Sequence, residues 1–489
     1  MSVLFRGTSR VRNSALFKNA ARSAPRLASR FGHERCASSA ALERCTLLTS
    51  DAIHGSPADR AGAQQLAQLQ LNPGIFAQIK AQIEAGEQNA FYVVDTSAVE
   101  ERVKLWNEHL PHVRPYYAVK CNPDAHLLQA LARLGTGFDC ASLAEINAVL
   151  GHGVAPADVI YANPCKQPSH IAFAASHGVD TMTFDSTDEL TKIKAINPNA
   201  KLVLRLYVDD TKAICRLGTK FGAMVHDVPA ILAHAKSLGL DVVGVSFHVG
   251  SGCFSVSAYS DAVLRARAAF DIGASMGFHF DLLDIGGGFP GTDGGPISFQ
   301  ECAAELKTSL AQHFPAASGV RIISEPGRFF AASTHTLAVN VIGRKVAPTF
   351  DVGPAAAAAA GASAVAAAAG DSSAPNFMYF VNDGLYGSFN CVVYDHPTIH
   401  PVVVSDTATE ADLHPASIWG PTCDGMDCIM KEVKMPLLDV GQWICFPSMG
   451  AYTCAAGSDF NGFAPPQKIY FDSTLDAAAE DKPEAQFVH

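Results

Sequence analysis

Four stretches of this chain carry side chains able to do chemistry together. Lys120 ends an apolar run, Tyr116–Lys120, that reads as a buried strand. An amine in that position is costly to bury unless it reacts or has a fixed partner. Gly286-Gly-Gly288 follows another run, Leu282–Ile285, and three glycines let backbone N–H groups approach an anion with no Cβ in the way. Glu325-Pro-Gly-Arg328 places an acid and a cation at a further strand end, and Trp419-Gly-Pro-Thr-Cys-Asp-Gly425 presents the thiol of Cys423 beside Asp424 in a turn. The first three have a plain alternative: a surface lysine, a tight turn, a local Glu325–Arg328 ion pair. As a set they describe pyridoxal phosphate chemistry, in which an amine forms an imine, a cradle holds phosphate, an acid meets the ring nitrogen and a thiol donates a proton.

The elements that must position these residues are strands alternating with helices. Strand-like runs occur at 116–120, 137–141, 159–163, 181–185, 201–207, 242–249, 282–286 and 321–325, with helical spacing between them, as in Ala125–Leu134 and Ser257–Met276. Eight such units predict an α/β fold built on a (β/α)8 barrel over residues 96–330, with an open doubly wound sheet as the runner-up. Active sites of such barrels form at the C-terminal strand ends. Those ends are Lys120, Asp139, Asn163, Asp185, Arg205, His248, Gly286–Gly288 and Glu325. Asp139 and Arg205 can orient and tune the amine, a neighbouring cation such as Arg205 favouring its neutral form. His248 can stack on a ring, or be structural, and Asn163 and Asp185 receive no role. Ser251, Arg328 and Tyr452 are further phosphate candidates. Tyr394, Asp395 and Asp424 are candidates for holding a distal cation on the substrate. No metal site is expected.

After Phe330, runs at 336–346, 377–381, 391–394, 402–404, 442–446 and 468–471 predict a mostly β second domain, residues 331–472 with 64–95 added. Residues 63–86 read as helix broken at Asn72-Pro-Gly74. Residues 353–374 form an alanine-rich insertion, and 473–489 an acidic tail. The basic, Ser- and Ala-rich residues 1–41 have the composition of an organellar transit peptide or of a disordered leader.

With 489 residues, 48% of them hydrophobic and 17% charged, the chain has room for two globular domains, and its net charge of −11 disfavours a nucleic-acid partner. No apolar run reaches membrane-spanning length. The thirteen cysteines include no Cys-x-x-Cys, so reduced thiols in an intracellular protein are expected.

The motifs PYYAVKCN, GTGFDCAS, VIYANPCKQ, VSFHVGSGC, LLDIGGGFPG, EPGRFF, VNDGLYGSFNCVVYDH, WGPTCDG and MGAYT together resemble the eukaryotic ornithine decarboxylases, of the alanine-racemase-like fold, from about Phe91 to Phe471. The resemblance implies decarboxylation of L-ornithine to putrescine, with Lys120 carrying the cofactor, Glu325 on the ring nitrogen and His248 on the ring. Gly286, Gly287, Gly288, Ser251, Arg328 and Tyr452 would bind phosphate, and Asp139 and Arg205 match positions near Lys120. Cys423 would return a proton, while Asp395 and Asp424 bind the substrate's far ammonium. It also implies a homodimer with shared sites, Cys423 and Asp424 coming from the second subunit and Lys220 pairing with Asp427 across the interface. Cytoplasm is the compartment it implies, against the mitochondrion or plastid suggested by the leader. An antizyme-type regulator is a further implied partner. Rivals are a decarboxylase for lysine or another basic amino acid, a racemase, and an inactive antizyme-inhibitor-like homologue.

Overall fold

The computed structural model describes residues 72–347, 376–404 and 413–472. The leader, the alanine-rich insertion and the acidic tail lie outside the described residues. Asn72-Pro-Gly74 starts a helix, Pro73–Glu84, rather than breaking one: the Asn72 side chain accepts the Gly74 N–H at 2.9 Å and Pro73 takes the first helical position, where a missing N–H costs nothing. No described helix is long and apolar enough to cross a membrane.

Strand β1 (Phe91–Asp95), buried at every position, pairs with strands that follow the barrel. The chain then builds the barrel from β2 (Val113–Ala118), β3 (Gly137–Cys140), β4 (Val159–Tyr161), β5 (Thr181–Phe184) and β6 (Lys201–Arg205). A short strand β7 (Ala213–Cys215) precedes β8 (Asp241–Ser246) and pairs with β9 (Ser251–Cys253) in a separate two-stranded ribbon. β10 (Leu282–Asp284) and β11 (Arg321–Ser324) close the barrel, all eight staves parallel. The open sheet is thereby excluded.

Each stave ends earlier than its apolar run. Lys120 does not lie in β2 but in a 3-10 turn, Val119–Cys121, just beyond it. Lys120, His248, Gly286–Gly288 and Glu325 therefore sit in loops at the barrel's mouth, whereas Asp139, Arg205 and Asp284 are still residues of the staves.

Side chains alternate between the faces of a strand. Tyr116, Ile160, Val203, Leu282 and Ile323 form an apolar cluster of their own, while their chain neighbours Tyr117, Tyr161, Leu202, Leu204, Leu283 and Ile322 pack toward the helices. The same alternation assigns Asp139, Thr183, Arg205, Ser246 and Asp284 to the lumen at the C-terminal strand ends. The barrel is apolar below and polar at its mouth.

Beyond the barrel come β12 (His335–Val346), β13 (Phe377–Val381), β14 (Val402–Val404), β15 (Leu413–Trp419), β16 (Cys428–Pro436), β17 (Trp443–Phe446) and β18 (Gln467–Phe471). They form one sheet in the order β14-β17-β12-β13-β15-β16, with β1 inserted between β12 and β18. The run at 391–394, expected as a strand, is a short helix, Asn390–Tyr394. β15 and β16 were not anticipated.

Candidate active site

Two residues past β2, Lys120 Nζ lies 2.5 Å from Asp139 Oδ2. The carboxylate is fully buried while the lysine side chain is 39% exposed, so the pair opens on one side only. Burial disfavours the ammonium, but Asp139 and then Glu325 outweigh it and hold the amine's pKa well above the ordinary lysine range. This corrects the expectation that a nearby cation favours the neutral amine: the carboxylates dominate. Arg205 lies instead over the Phe221 ring, at 5.2 Å.

The Lys120 loop is fastened to the second domain. Tyr452 N–H donates to the Cys121 carbonyl at 2.9 Å, and the Asn122 amide donates to the Gly450 carbonyl at 2.9 Å. Tyr452 has a φ of 56°, an uncommon conformation for a tyrosine. The adjoining Asp124 caps the helix Ala125–Arg133 and also accepts Lys468 Nζ at 2.6 Å and Tyr470 Oη at 2.7 Å.

The Gly286–Gly288 turn is wedged between two neighbouring loops. A Cβ on Gly286 would lie 2.2 Å from the Phe247 carbonyl, and one on Gly287 2.6 Å from the Glu325 carbonyl. These glycines are demanded by backbone packing, and that same packing leaves no side chain over the turn. Glu325 N–H donates to the Gly286 carbonyl at 2.7 Å. The Glu325 carboxyl does not pair with Arg328. It meets that of Asp284, whose Oδ1 accepts Gly286 N–H at 2.9 Å. Burial, with the second carboxyl beside it, pushes Glu325 well up; burial pushes Asp284 up to about 7. The pair therefore keeps a proton at neutral pH. Asp284 was absent from the sequence-derived site.

His248 Nδ1 accepts the Gly250 N–H at 3.0 Å, leaving Nε2 beside Gly287. Burial, then Arg205 and Lys120, hold its pKa well below the usual histidine range, so the ring is neutral. Asn163 and Asp185 have local duties: Asn163 Oδ1 accepts Cys165 N–H and Asp185 Oδ2 accepts Gly222 N–H.

Arg328 donates to Asp395 through NH1 (3.0 Å) and NH2 (2.6 Å), and NH2 also reaches Ser251 Oγ at 2.7 Å. Its guanidinium covers the Tyr452 ring at 5.1 Å. Asp395, expected to face substrate, thus spends both oxygens on Arg328, a residue expected to face phosphate. Its neighbour Tyr394 points outward, 71% exposed.

No hydrogen bond or ion pair between described residues links Cys423 or Asp424 to Lys120, Glu325 or Arg328. The Cys423 thiol is exposed. Its N–H donates to Asn461 Oδ1 at 3.1 Å, and Tyr386 Oη donates to Asp424 Oδ2 while Phe460 stacks on the Tyr386 ring at 4.3 Å. Asp427 anchors the loop from below, accepting Leu385 N–H at 2.8 Å, Thr422 N–H at 3.1 Å and Thr422 Oγ1 at 2.7 Å. Asp427 is buried, and both of its carboxylate oxygens are engaged by its own chain. All eleven described cysteines are free thiols.

Besides the Asp284–Glu325 pair, four buried polar atoms at or near the mouth have no hydrogen-bond partner: Asp139 Oδ1, Thr183 Oγ1, Ser246 Oγ and Arg328 Nε. Buried polar atoms are nearly always satisfied, so such a concentration marks where a polar ligand belongs. Donors and acceptors of both charge signs suit a zwitterionic ring carrying phosphate. No group of His, Cys, Asp and Glu that could hold a metal occurs among the described residues.

Residues 96–332 match the family described as pyridoxal-dependent decarboxylase, pyridoxal binding domain. The chain is 47% identical to the ornithine decarboxylase of Rattus norvegicus over 384 residues, 78% of this chain and 81% of that one. It is 46% identical to antizyme inhibitor 2 of Xenopus laevis over 377 residues, 77% of this chain and 80% of that protein. Among solved structures, the arginine decarboxylase of Paramecium bursaria Chlorella virus superposes with a TM-score of 0.73 at 35% identity, covering 81% of this chain and all of that one.

Proposed function

The chain belongs to the pyridoxal-dependent decarboxylase family that includes the eukaryotic ornithine decarboxylases, and from that membership we infer that it converts L-ornithine to putrescine and CO2. The observation that carries an enzymatic reading over an inhibitor-like one is the assembled mouth itself: Lys120 on Asp139, Glu325 on Asp284, and an unpartnered Arg328 Nε. A purely regulatory surface needs none of these.

Bound pyridoxal phosphate supplies the electron sink that accepts the pair released when the Cα–carboxylate bond breaks. Lys120 would hold its aldehyde carbon, Glu325 its ring nitrogen and His248 its ring face. Arg328, Ser251, Tyr452 and the N–H groups of Gly286–Gly288 would hold its phosphate. Asp139 orients the Lys120 amine and stabilises its ammonium, which must shed a proton to react. The Asp284–Glu325 pair keeps a proton in a site closed to water and can give it to a ring nitrogen. A neutral His248 adds no positive charge beside that ring. Asp395 and Asp424 bind the substrate's distal ammonium. Cys423 returns a proton to Cα and regains one from solvent. By the same family membership, the exposed thiol acts on the barrel of a second copy, in a homodimer with shared sites. The exposed side chains of Tyr394 and Met426 beside these acids fit such an interface. An antizyme-type regulator and a cytoplasmic location follow from the same membership.

CO2 release from ornithine, lysine and arginine, assayed side by side, tests the assignment. Ornithine should be preferred, lysine following within roughly 10- to 200-fold because one methylene is worth only ~1–3 kcal/mol. Preference for arginine would overturn the substrate; no release from any of them would return the inhibitor-like reading.

A further inference from the structure

A guanidinium has five N–H donors. In Arg328 three are spent, one from NH1 and one from NH2 on Asp395 and a second from NH2 on Ser251. The Nε donor is buried and unpartnered. Arg328 and Asp395 are 67 residues apart in sequence and come from different domains, yet they form the two-pronged contact that arginine makes best. Asp395 is itself set by the short helix before it, its N–H donating to the Cys391 carbonyl at 2.8 Å. Cys215 Sγ also lies 3.9 Å from Asp395 Oδ1.

We infer that Arg328 is a bridge, holding the cofactor's phosphate on Nε and Asp395 on its NH1–NH2 fork, so that phosphate binding and recognition of the substrate's distal ammonium are energetically coupled. The inference rests on the decarboxylase reading of this site and adds to it a positioning residue. In the Arg328–Asp395 pair the cation offsets the carboxylate's attraction for a second cation. Phosphate bound at Nε brings negative charge to the shared guanidinium and restores that attraction. In a buried, poorly screened site such an effect is strong. Linkage then requires the reverse: an ammonium at Asp395 must tighten phosphate by the same factor.

The test uses the full-length chain freed of cofactor, titrated calorimetrically with putrescine in a phosphate-free buffer and again at saturating inorganic phosphate. Phosphate should tighten putrescine by roughly 5-fold or more, and putrescine should tighten phosphate equally. Asp395→Asn should still bind phosphate, with the coupling factor reduced to about 1. Arg328→Lys keeps the cation but loses the fork, and it too should bind phosphate without coupling. In the loaded enzyme Arg328→Lys should retain the cofactor's absorbance, with KM raised more than kcat falls. Independent binding of phosphate and putrescine to the unaltered chain, which needs no variant to fold, would overturn the bridge. So would full coupling in Asp395→Asn. A folded chain binding neither ligand and releasing no CO2 when loaded would instead remove the decarboxylase reading, and the bridge with it.

Discussion

The barrel mouth and the 420–427 loop treat their reactive groups in opposite ways. At the mouth three pairs of ionisable groups lean on one another: Lys120 on Asp139, Glu325 on Asp284, Arg328 on Asp395. Most of these groups are removed from water, which makes their mutual fields strong and their protonation states abnormal. In the loop, burial is given to the anchor, Asp427, and the reactive Cys423 is left outside. The first region stores charge and the second presents a donor. A reaction that breaks a bond over one surface and returns a proton from another has a use for both.

The sharpest way to break this contrast is to disable each region separately. Lys120→Ala and Cys423→Ala should each lower putrescine formation by on the order of 10²-fold or more, the latter retaining the cofactor's absorbance. Mixed and allowed to exchange subunits, the two inactive variants should recover about a quarter of the native rate, one intact site in half of the dimers. No recovery would mean that the loop does not serve a second subunit's barrel.

A smaller effect concerns the mouth's abnormal protonation. An unfolded aspartate titrates near ~3.9, whereas Asp284 in the fold titrates at about 7. Between those values the folded chain holds a proton that the unfolded chain has released, so this group's contribution to stability falls as pH rises from ~4 to about 7. Urea unfolding of the cofactor-free chain should show that decline relative to Asp284→Asn. Parallel curves would mean that Asp284 is ionised throughout.

The smallest effect belongs to the loop. Tyr386→Phe frees Asp424 Oδ2 and lets the carboxylate swing, which should raise KM for ornithine by roughly 2- to 10-fold, the worth of one ordinary hydrogen bond. A kcat loss larger than the KM change would place Tyr386 in the chemistry instead.

How far the sequence alone leads differs between the same two regions. The eight staves are legible because each is a short apolar run with helical spacing between, and the mouth residues follow from where those runs end. Asp284 escapes that reading because the run 282–286 is read to its glycine end, and only the lumen alternation reveals it. The helix Asn390–Tyr394 was read as a strand because Cys391-Val-Val-Tyr394 is apolar and β-branched, and a run of four carries no usable period. β15 and β16 escape because His414-Pro415 and Lys431-Glu432 interrupt their apolar pattern and their pairing is irregular. The Arg328–Asp395 contact has no local signal at all.

One further consequence comes from β1. It pairs with β12 on one side and β18 on the other, yet both neighbours are translated only after the whole barrel. While the ribosome works through that interval, Phe91-Tyr-Val-Val94 has nowhere to bury itself. A nascent chain halted just before Gln467 would carry a finished barrel and an open seam, which makes this short segment the natural first handhold for a chaperone.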